Sequence, residues 1–458
     1  MRFWDSGIVV DLLILAFVLG IAMVLIRSVG VLRRLALPNA IVAGLIGLLL
    51  GPSALGVLPT DIEAMELIVY HAFAVIFIAV GLQATPKTER PGSARSLAVA
   101  NASIGVLQAI LGLLFVAVWL TFDDSVHSGF GFLVTEGFQQ GPGQALTLGK
   151  GWEDSGMQDG VQLGLIFATL GFLYCIVLGI PMVAIARRKG LIGPLQMSEE
   201  EAAETASAST DAQADASLEP LSTQLIMVGC VYLLVFVFIE GIVSLLPPGA
   251  KLSNTAYAMH FIFGSLFAIG LRYAARRTKR EGPFRDDMLA RISVVAVDIT
   301  TAGAISAVSL DVLQTWLVPV LLMTVMAGGL TLLGCLWLAR RAFPESPFGH
   351  TLVLFGMGTG TVSTGLALLR MLDPELRGTV ARNAVIGATV SVPFNAPMFV
   401  VVIPLAFGLS SQGPLVAVGG PLAMLVVYLL VLIACWQSLT PLRVLRPLRS
   451  LWPPDPDE

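Results

Sequence analysis

The sequence predicts an all-α membrane protein with many transmembrane helices, and three observations support this fold class. Of its 458 residues, 56% are apolar and only 13% are charged, whereas a soluble domain carries roughly 25% charged residues. Stretches of about 20 apolar residues recur along the chain, each long enough to cross a bilayer as a helix. The basic residues are confined to clusters between these stretches. Together these features exclude a soluble enzyme, a disordered chain and a nucleic-acid-binding protein.

Eleven apolar stretches are expected to span the membrane. They are residues 8–26, 39–58, 65–86, 96–122, 159–186, 223–246, 254–274, 288–309, 312–339, 382–408 and 414–436. Two further stretches, 128–150 and 348–370, are long enough to cross but are interrupted and rich in Gly and Thr. The positions of Lys and Arg decide whether these two cross, because short cytoplasmic loops are enriched in basic residues.

The basic residues predict that neither interrupted stretch crosses the membrane. With the N-terminus outside and eleven crossings, 24 of the 27 basic residues face the cytoplasm, and only Arg2, Lys150 and Lys251 do not. If either stretch crossed alone, every basic cluster after it would move to the outer face. Both are therefore predicted to be re-entrant hairpins, the first entering from outside and the second from inside. Irregular backbone at membrane depth survives only where protein or a watery cavity covers its polar groups.

The order of these elements predicts an inverted-topology repeat of five plus five spans. Residues 1–194 hold five spans and the outside hairpin, and residues 223–408 hold five spans and the inside hairpin in the opposite orientation. The acidic segment between them, 195–222, has no Lys or Arg and is predicted to be a disordered cytoplasmic linker. Residues 409–458 add an eleventh span and a basic cytoplasmic tail. Inverted repeats with broken elements in matching positions are typical of secondary transporters.

Each hairpin carries a break that favours ligand binding. In the first, two glycines allow close approach of the backbone, and Pro142 begins a half-helix whose free N–H groups can face an anion. In the second, hydroxyl groups and freed carbonyls suit either a carboxylate or a hard cation. The glycines could instead serve close helix packing. The candidate substrate-binding residues are Gln140, Gly141, Pro142, Gly143, Gln144, Gly358, Thr359, Gly360, Thr361, Ser363, Thr364 and Asn395.

Four further residues are candidate ligands of a coupling cation. Corresponding Ala-Thr segments occur in the fifth spans of the two halves, and two prolines interrupt the second of these spans and free carbonyl oxygens. Asp298 lies in the middle of a span, where a charge is costly, and is expected to face a cavity. Its alternative role is a structural hydrogen bond. The candidate sodium ligands are Asp298, Thr169, Thr389 and Ser391, and no organic cofactor is expected.

The hairpins and their flanks resemble the glutamate:sodium symporter family and, more loosely, the citrate and 2-hydroxycarboxylate symporters. The resemblance covers roughly residues 36–190 and 288–408. It is carried by Leu37-Pro38, Gly81-Leu82-Gln83-Ala84, the first hairpin, Ala168-Thr169-Leu170-Gly171, the glycine-rich run 356–360 and Gly387-Ala388 with Asn395. The chain departs from the family pattern at Gln140-Gly141-Pro142-Gly143, at Thr361-Val362-Ser363 and at Val392.

The resemblance implies an ion-coupled symporter of a small carboxylate, glutamate-like, that works by elevator-type alternating access. It further implies sodium, or alternatively a proton, as the coupling ion, and a homodimer in the bacterial inner membrane. The charge distribution adds an outside N-terminus with the linker and the C-terminus in the cytoplasm. Because the departures lie at ligand-contacting positions, two alternatives remain: a proton-coupled transporter of a different organic anion, and a non-transporting membrane sensor. No enzyme is expected, because the chain has neither an HExxH nor a GxxxxGK[ST] motif.

Overall fold

The computed structural model describes residues 7–35, 37–84, 91–123, 125–188, 218–247, 251–280, 282–344, 346–373, 376 and 378–439. Every regular element within these residues is a helix. Nine of the described helices are long and apolar enough to cross a membrane: Gly7–Ser28, Ile62–Gly81, Gly92–Trp119, Gly160–Arg188, Leu221–Ser244, Asp286–Ser306, Leu317–Ala342, Val392–Leu409 and Pro414–Leu439. The chain is therefore an all-α polytopic membrane protein, which confirms the predicted fold class.

The described helices are distributed over the two halves of the chain. The first half consists of α1 (Gly7–Ser28), α2 (Gly30–Arg34), α3 (Asn39–Leu50), α4 (Ile62–Gly81), α5 (Pro91–Trp119), α6 (Phe130–Phe138), α7 (Pro142–Asp154) and α8 (Gly160–Arg188). The second consists of α9 (Leu218–Ser244), α10 (Lys251–Ala258), α11 (His260–Arg277), α12 (Asp286–Ser306), α13 (Leu310–Thr315), α14 (Leu317–Ala342), α15 (Pro347–Gly358), α16 (Val362–Arg370), α17 (Thr379–Val390), α18 (Val392–Pro397), a π-helical segment (Met398–Val402) and α19 (Ile403–Leu409). A final helix, α20 (Pro414–Leu439), follows.

Two of the expected spans are shorter than predicted. Helix α3 has 12 residues and ends at Leu50, because Gly51 is extended and precedes Pro52, which disfavours a helical residue before it. Twelve residues rise only about 18 Å, less than the roughly 30 Å of a hydrocarbon core. The expected span 254–274 is divided at Met259 into α10 and α11.

Two other boundaries also differ from the sequence prediction. The expected span 382–408 consists of α17, α18, the π-helical segment and α19, because Pro393 and Pro397 interrupt its hydrogen bonding. Helix α9 begins at Leu218, so residues 218–222 are helical although they were predicted to belong to the linker. The rest of the linker, 195–217, and the tail, 440–458, lie outside the described residues.

The described helices pack into two groups, which we call the peripheral body and the hairpin body. The peripheral body contains α1, α3, α4, α9, α11 and α12, and α12 packs against both α3 and α4. The hairpin body contains α5 to α8, α14 to α19 and α20, and α5 packs against α6, α14, α17 and α20. The helix pairs of the two halves match. Helix α3 of the first half packs against α12, and α11 of the second half packs against α4. Likewise, α5 packs against the first hairpin at α6, and α14 packs against the second hairpin at α15.

Small residues allow the helices of the hairpin body to approach closely. A Cβ atom at Gly112 in α5 would lie 1.9 Å from the carbonyl oxygen of Gly131 in α6, so only glycine fits there. A Cβ atom at Gly149 in α7 would lie 2.5 Å from the carbonyl oxygen of Gly160 in α8. Contact between backbones is a common way to hold helices together where the surrounding solvent is lipid.

Candidate functional site

The two interrupted stretches fold as antiparallel helical hairpins. In the first, the indole of Trp152 near the end of α7 stacks on Phe132 near the start of α6, with ring centroids 5.3 Å apart. In the second, the Thr364 hydroxyl in α16 donates to the carbonyl oxygen of Gly356 in α15 at 2.7 Å. Their positions agree with the predicted stretches, and their re-entrant placement in a membrane stays a prediction.

The breaks of the two hairpins meet inside the hairpin body. A Cβ atom at Gly141 would lie 3.4 Å from Thr361 Cγ2. Gly141 has a φ of +83°, a left-handed conformation that glycine adopts without strain. It directly precedes α7, and Thr361 directly precedes α16, so the N-terminal ends of two helices converge at this contact. Helix N-termini carry unpaired N–H groups and partial positive charge, which makes the junction suited to an anion.

Most hydroxyl groups of the second hairpin are already hydrogen-bonded within it. The Thr364 hydroxyl accepts a hydrogen bond from the Thr361 N–H at 2.8 Å, and the two residues form a capping box that begins α16. Thr359 is fully buried, and its hydroxyl donates to the carbonyl oxygen of Phe355 at 2.7 Å. Ser363 is exposed in the first turn of α16, so its hydroxyl is available to a ligand.

The first hairpin contacts the peripheral body at its break. A Cβ atom at Gly143 would lie 2.2 Å from Cδ2 of Phe73 in α4, so glycine is required for this contact. Gln140 is half-buried, and its amide donates to the side-chain oxygen of Gln139 at 2.8 Å. Pro142 and Gln144 are buried beside the break. The predicted residues of this hairpin therefore lie at the boundary between the two bodies.

Helix α5 lies beside both breaks and supplies residues that the sequence analysis missed. The Gln139 amide of the first hairpin donates to the Asn101 carbonyl oxygen. The Gln108 amide donates at 2.7 Å to the Thr331 hydroxyl and at 2.7 Å to the Gly358 carbonyl oxygen of the second hairpin. The side-chain oxygens of Asn101 and Gln108 are buried without a partner among the described residues. Amides seven residues apart share a helix face, and this spacing in an apolar span was the signal available in the sequence.

Asn395 and Ser391 lie on the interrupted helix rather than on a hairpin. The Asn395 amide donates to the Ser391 carbonyl oxygen at 3.2 Å, and the Ser391 hydroxyl donates to the Ala388 carbonyl oxygen at 2.6 Å. Helices α17 and α18 pack against α5. Among the described residues, no hydrogen bond joins Asn395 to either hairpin, so its role in substrate binding stays a prediction.

The candidate sodium ligands are distributed over both bodies. Thr169 lies in α8 two residues from Gly171, where an added Cβ would lie 2.7 Å from the Thr359 carbonyl oxygen of the second break. The Thr169 hydroxyl donates to the Leu165 carbonyl oxygen at 2.9 Å. Asp298 is half-buried in α12 of the peripheral body and has no hydrogen bond or ion pair among the described residues. The side chain of Thr389 lies outside the described part of the chain. No hydrogen bond among the described residues joins Asp298 to Thr169 or Ser391.

Carboxylates, imidazoles and thiols do not assemble into a metal site in the part of the chain that the structure describes. No three His, Cys, Asp or Glu side chains come together there in an arrangement that could hold a metal ion. The oxygen atoms near the breaks are instead hydroxyls, amide oxygens and main-chain carbonyls, the neutral ligands that a hard cation accepts.

The fold and its two facing breaks therefore define a polytopic α-helical membrane protein with a helical hairpin in each half of the chain. Comparisons of the sequence and of the structure with family models, with characterised proteins and with solved structures found no match. The resemblance to the glutamate:sodium symporters stays an expectation from the sequence.

Proposed function

We propose that the protein is an ion-coupled secondary active transporter of a small carboxylate, glutamate-like. The observation that carries this proposal is the convergence of the N-termini of α7 and α16, where a Cβ atom added at Gly141 would lie 3.4 Å from Thr361 Cγ2. A carboxylate at this junction accepts hydrogen bonds from unpaired N–H groups of both hairpins and lies at the positive ends of both helix dipoles. The exposed hydroxyl of Ser363 supplies a further donor.

The proposed mechanism is a movement of the hairpin body past the peripheral body, with the solute held between the breaks. The separation of the described helices into two bodies supports this mechanism, and the reciprocal packing of the halves supports an inverted repeat. The peripheral body is the fixed scaffold and is where we place the contact between two copies of the chain. The protein resides in the bacterial inner membrane, with its N-terminus outside.

One polar contact between the bodies has to change during this movement. The Gln162 amide in α8 donates to Glu66 Oε1 in α4 at 2.6 Å and to the Ala307 carbonyl at 3.1 Å, and its oxygen accepts from the Ser309 N–H at 2.8 Å. All three bonds run from the hairpin body to α4 or to the connection after α12. These hydrogen bonds stabilise the position of the hairpin body seen here, and they break when the hairpin body moves past the peripheral body.

Transport of the solute is coupled to the ion if the two, bound together, favour movement of the hairpin body more than either does alone. Sodium bound by neutral oxygens near the breaks, or a proton on a buried carboxyl group, offsets the negative charge that the solute brings into the membrane. We therefore expect carboxylate binding to depend on the cation or on pH.

The experiment that tests this proposal is a thermal unfolding assay of the purified protein with a panel of small carboxylates. Each compound is added with sodium, with potassium and at two pH values, because a ligand of the native state raises its apparent stability by about 2.7 kcal/mol at one hundred times Kd. A shift with glutamate or a related anion that requires one cation or one pH supports the proposal. No shift with any anion contradicts it and favours a sensor that does not transport.

A further inference from the structure

Among the residues that the structure describes, the most deeply buried carboxyl group of the hairpin body has no charged partner. Glu136 lies in α6, and its side chain is 0% exposed. The Trp152 indole N–H in α7 donates to Glu136 Oε1 at 3.3 Å, and Oε2 is buried without any partner among the described residues. An ionised carboxylate in such a place leaves lone pairs unsatisfied, whereas a carboxylic acid needs fewer partners.

The elements around α6 supply no counterion to Glu136 within the described residues. Helix α6 packs against α5, α7, α8 and α14. In α7, Lys150 is paired with Glu153 at 3.4 Å and with Asp154 at 3.5 Å. Among the described residues of these helices and of the preceding loop, the remaining titratable or charged groups are Arg95 in α5, Tyr174, Cys175, Arg187 and Arg188 in α8, Cys335, Arg340 and Arg341 in α14, and Asp123 and His127 in the loop.

His127 is the nearest of these groups to the indole that bonds Glu136. Its ring lies 6.1 Å from the Trp152 ring, and its Nδ1 accepts from the Gly129 N–H at 3.1 Å. It is half-buried. The Trp152 indole therefore contacts both Glu136 and the only imidazole that the described residues place beside this hairpin base.

A cavity lies beside the phenylalanine that packs against Trp152. Trp152 packs edge-on against Phe407 of α19, with ring centroids 4.4 Å apart. Phe407 in turn lines a cavity of about 220 Å³ between α7, α10 and α19, together with the polar residues Asp154, Asn254 and Thr255. A cavity of this size and polarity accommodates water. The parts of α7, α10 and α19 that border this cavity all lie on the side that the charge distribution predicts to be outside the membrane.

We propose that Glu136 is the residue that carries the coupling proton, exchanging it with water in this cavity past Trp152 and Phe407. This inference rests on the proposed transport function and names its coupling ion. In the loaded state Oε2 carries the proton and Oε1 keeps the Trp152 hydrogen bond. On release, the Oε2–H bond breaks, the proton passes to a cavity water and leaves as hydronium, and the carboxylate remains. Water must reach Oε2 to stabilise that carboxylate, so separation of the Trp152 and Phe407 rings accompanies proton release.

The direct test is infrared difference spectroscopy of the purified full-length protein between acidic and alkaline buffer, and with and without L-glutamate as the probe. The carboxylic C=O band of a protonated Glu136 is expected to disappear at alkaline pH and to be absent throughout in Glu136→Gln. The variant Asp11→Asn is the control, because Asp11 is also buried, at 1% exposure, but lies in α1. Identical difference spectra of the wild type and Glu136→Gln would overturn the proposal.

Two further variants keep the test independent of folding defects. Glu136→Asp retains a carboxyl group, so its band is expected to remain, with a changed titration midpoint. Trp152→Phe removes the only hydrogen-bond donor to Oε1 in the described part of the chain, so the band is expected to move to higher frequency. A band unaffected by Trp152→Phe would show that the signal does not come from Glu136.

Transport in sodium-free proteoliposomes separates this inference from the proposed function. With an acidic outside, wild type and Asp11→Asn are expected to accumulate radiolabelled L-glutamate, and uptake by Glu136→Gln is expected to lose its dependence on external pH. Uptake by Glu136→Gln that still follows external pH overturns the proton role. If no carboxylate of the panel is taken up by the wild type, the transport proposal fails, and the infrared result still decides whether Glu136 exchanges a proton.

Discussion

Gly141 combines two requirements at one residue, a left-handed backbone and a contact with the opposite hairpin. Its φ of +83° is a conformation that costs other residues about 1–2 kcal/mol. The glycines and the proline of this break were recognisable in the sequence, because few other residues form such a turn. Its partner across the junction, Thr361, lies 220 residues further along the chain, and no local pattern indicates that pairing.

The variant Gly141→Ala is expected to lose the carboxylate-induced rise in unfolding temperature. Gly156→Ala is its control, since Gly156 has a φ of +105° and no atom within 4 Å of the added Cβ. Both substitutions introduce backbone strain of about 1–2 kcal/mol, but only Gly141 borders the junction. The measurement is thermal unfolding with and without the carboxylate. Full ligand-induced stabilisation of Gly141→Ala would contradict the assignment of the site.

Gln108 holds the second break against α5 and α14, and we expect Gln108→Leu to destabilise the protein by about 1–3 kcal/mol. The substitution leaves the buried carbonyl of Gly358 without a donor. Gln224→Leu is the matched control, because Gln224 is equally buried and its amide donates to the Pro283 carbonyl at 2.8 Å, far from the breaks. Chemical denaturation in detergent compares the two variants. Only Gln108→Leu should also weaken carboxylate binding, and equal binding in both would exclude a positioning role for Gln108.

At the scale of helices, the second hairpin depends on the capping box at its break. Thr364→Val removes a hydroxyl that bonds both the Thr361 N–H and the Gly356 carbonyl, and it should cost about 1–2 kcal/mol. Hydrogen exchange of amides in α15 and α16 should accelerate, while exchange in α6 and α7 stays unchanged. Thr364→Ser retains the hydroxyl and serves as the control. If hydrogen exchange accelerated equally in both hairpins, the capping box would not act locally on the second hairpin.

Interrupted helices were predictable where Gly and Pro interrupt an apolar stretch. The expected hairpins at 128–150 and 348–370 correspond to α6 with α7 and to α15 with α16, within a few residues at each end. The shortness of α3 and the division between α10 and α11 were missed. Hydropathy averages over a window, so it does not register one extended glycine before a proline or one turn residue such as Met259.

At the scale of the whole molecule, Ile41 of the peripheral body and Phe172 of the hairpin body belong to the same buried apolar cluster. In a background without the four native cysteines, oxidation of Ile41→Cys/Phe172→Cys is expected to stop carboxylate uptake, and a reductant is expected to restore it. The control pair, Ile78→Cys/Gly264→Cys, joins two helices of the peripheral body, where an added Cβ at Gly264 would lie 2.9 Å from Ile78 Cγ1. Undiminished uptake with the first pair cross-linked would rule out movement between the bodies.

The grouping of helices into bodies could not be predicted from the sequence, although the order of helices could. The charge pattern predicts which end of a span faces the cytoplasm, but it carries no information about which helices are neighbours. Helix α20 illustrates this, because it is apolar on all sides. It packs against α5, and the Tyr428 hydroxyl donates to the Phe394 carbonyl of the interrupted helix. The appended span therefore belongs to the hairpin body.

The connection between α12 and α14 limits how far one body can travel relative to the other. Only residues 307–309 separate α12 from α13, and three residues reach at most about 10 Å. Helix α13 has no fully buried side chain, and its Val312 and Leu313 pack only partly against the apolar core. If it unwinds, residues 307–316 reach about 33 Å, comparable to the thickness of a hydrocarbon core. In the proposed transport mechanism, the distance that the hairpin body moves is therefore set by whether the six residues of α13 remain folded, and the loss of the Gln162 hydrogen bonds to Ala307 and Ser309 frees this connection.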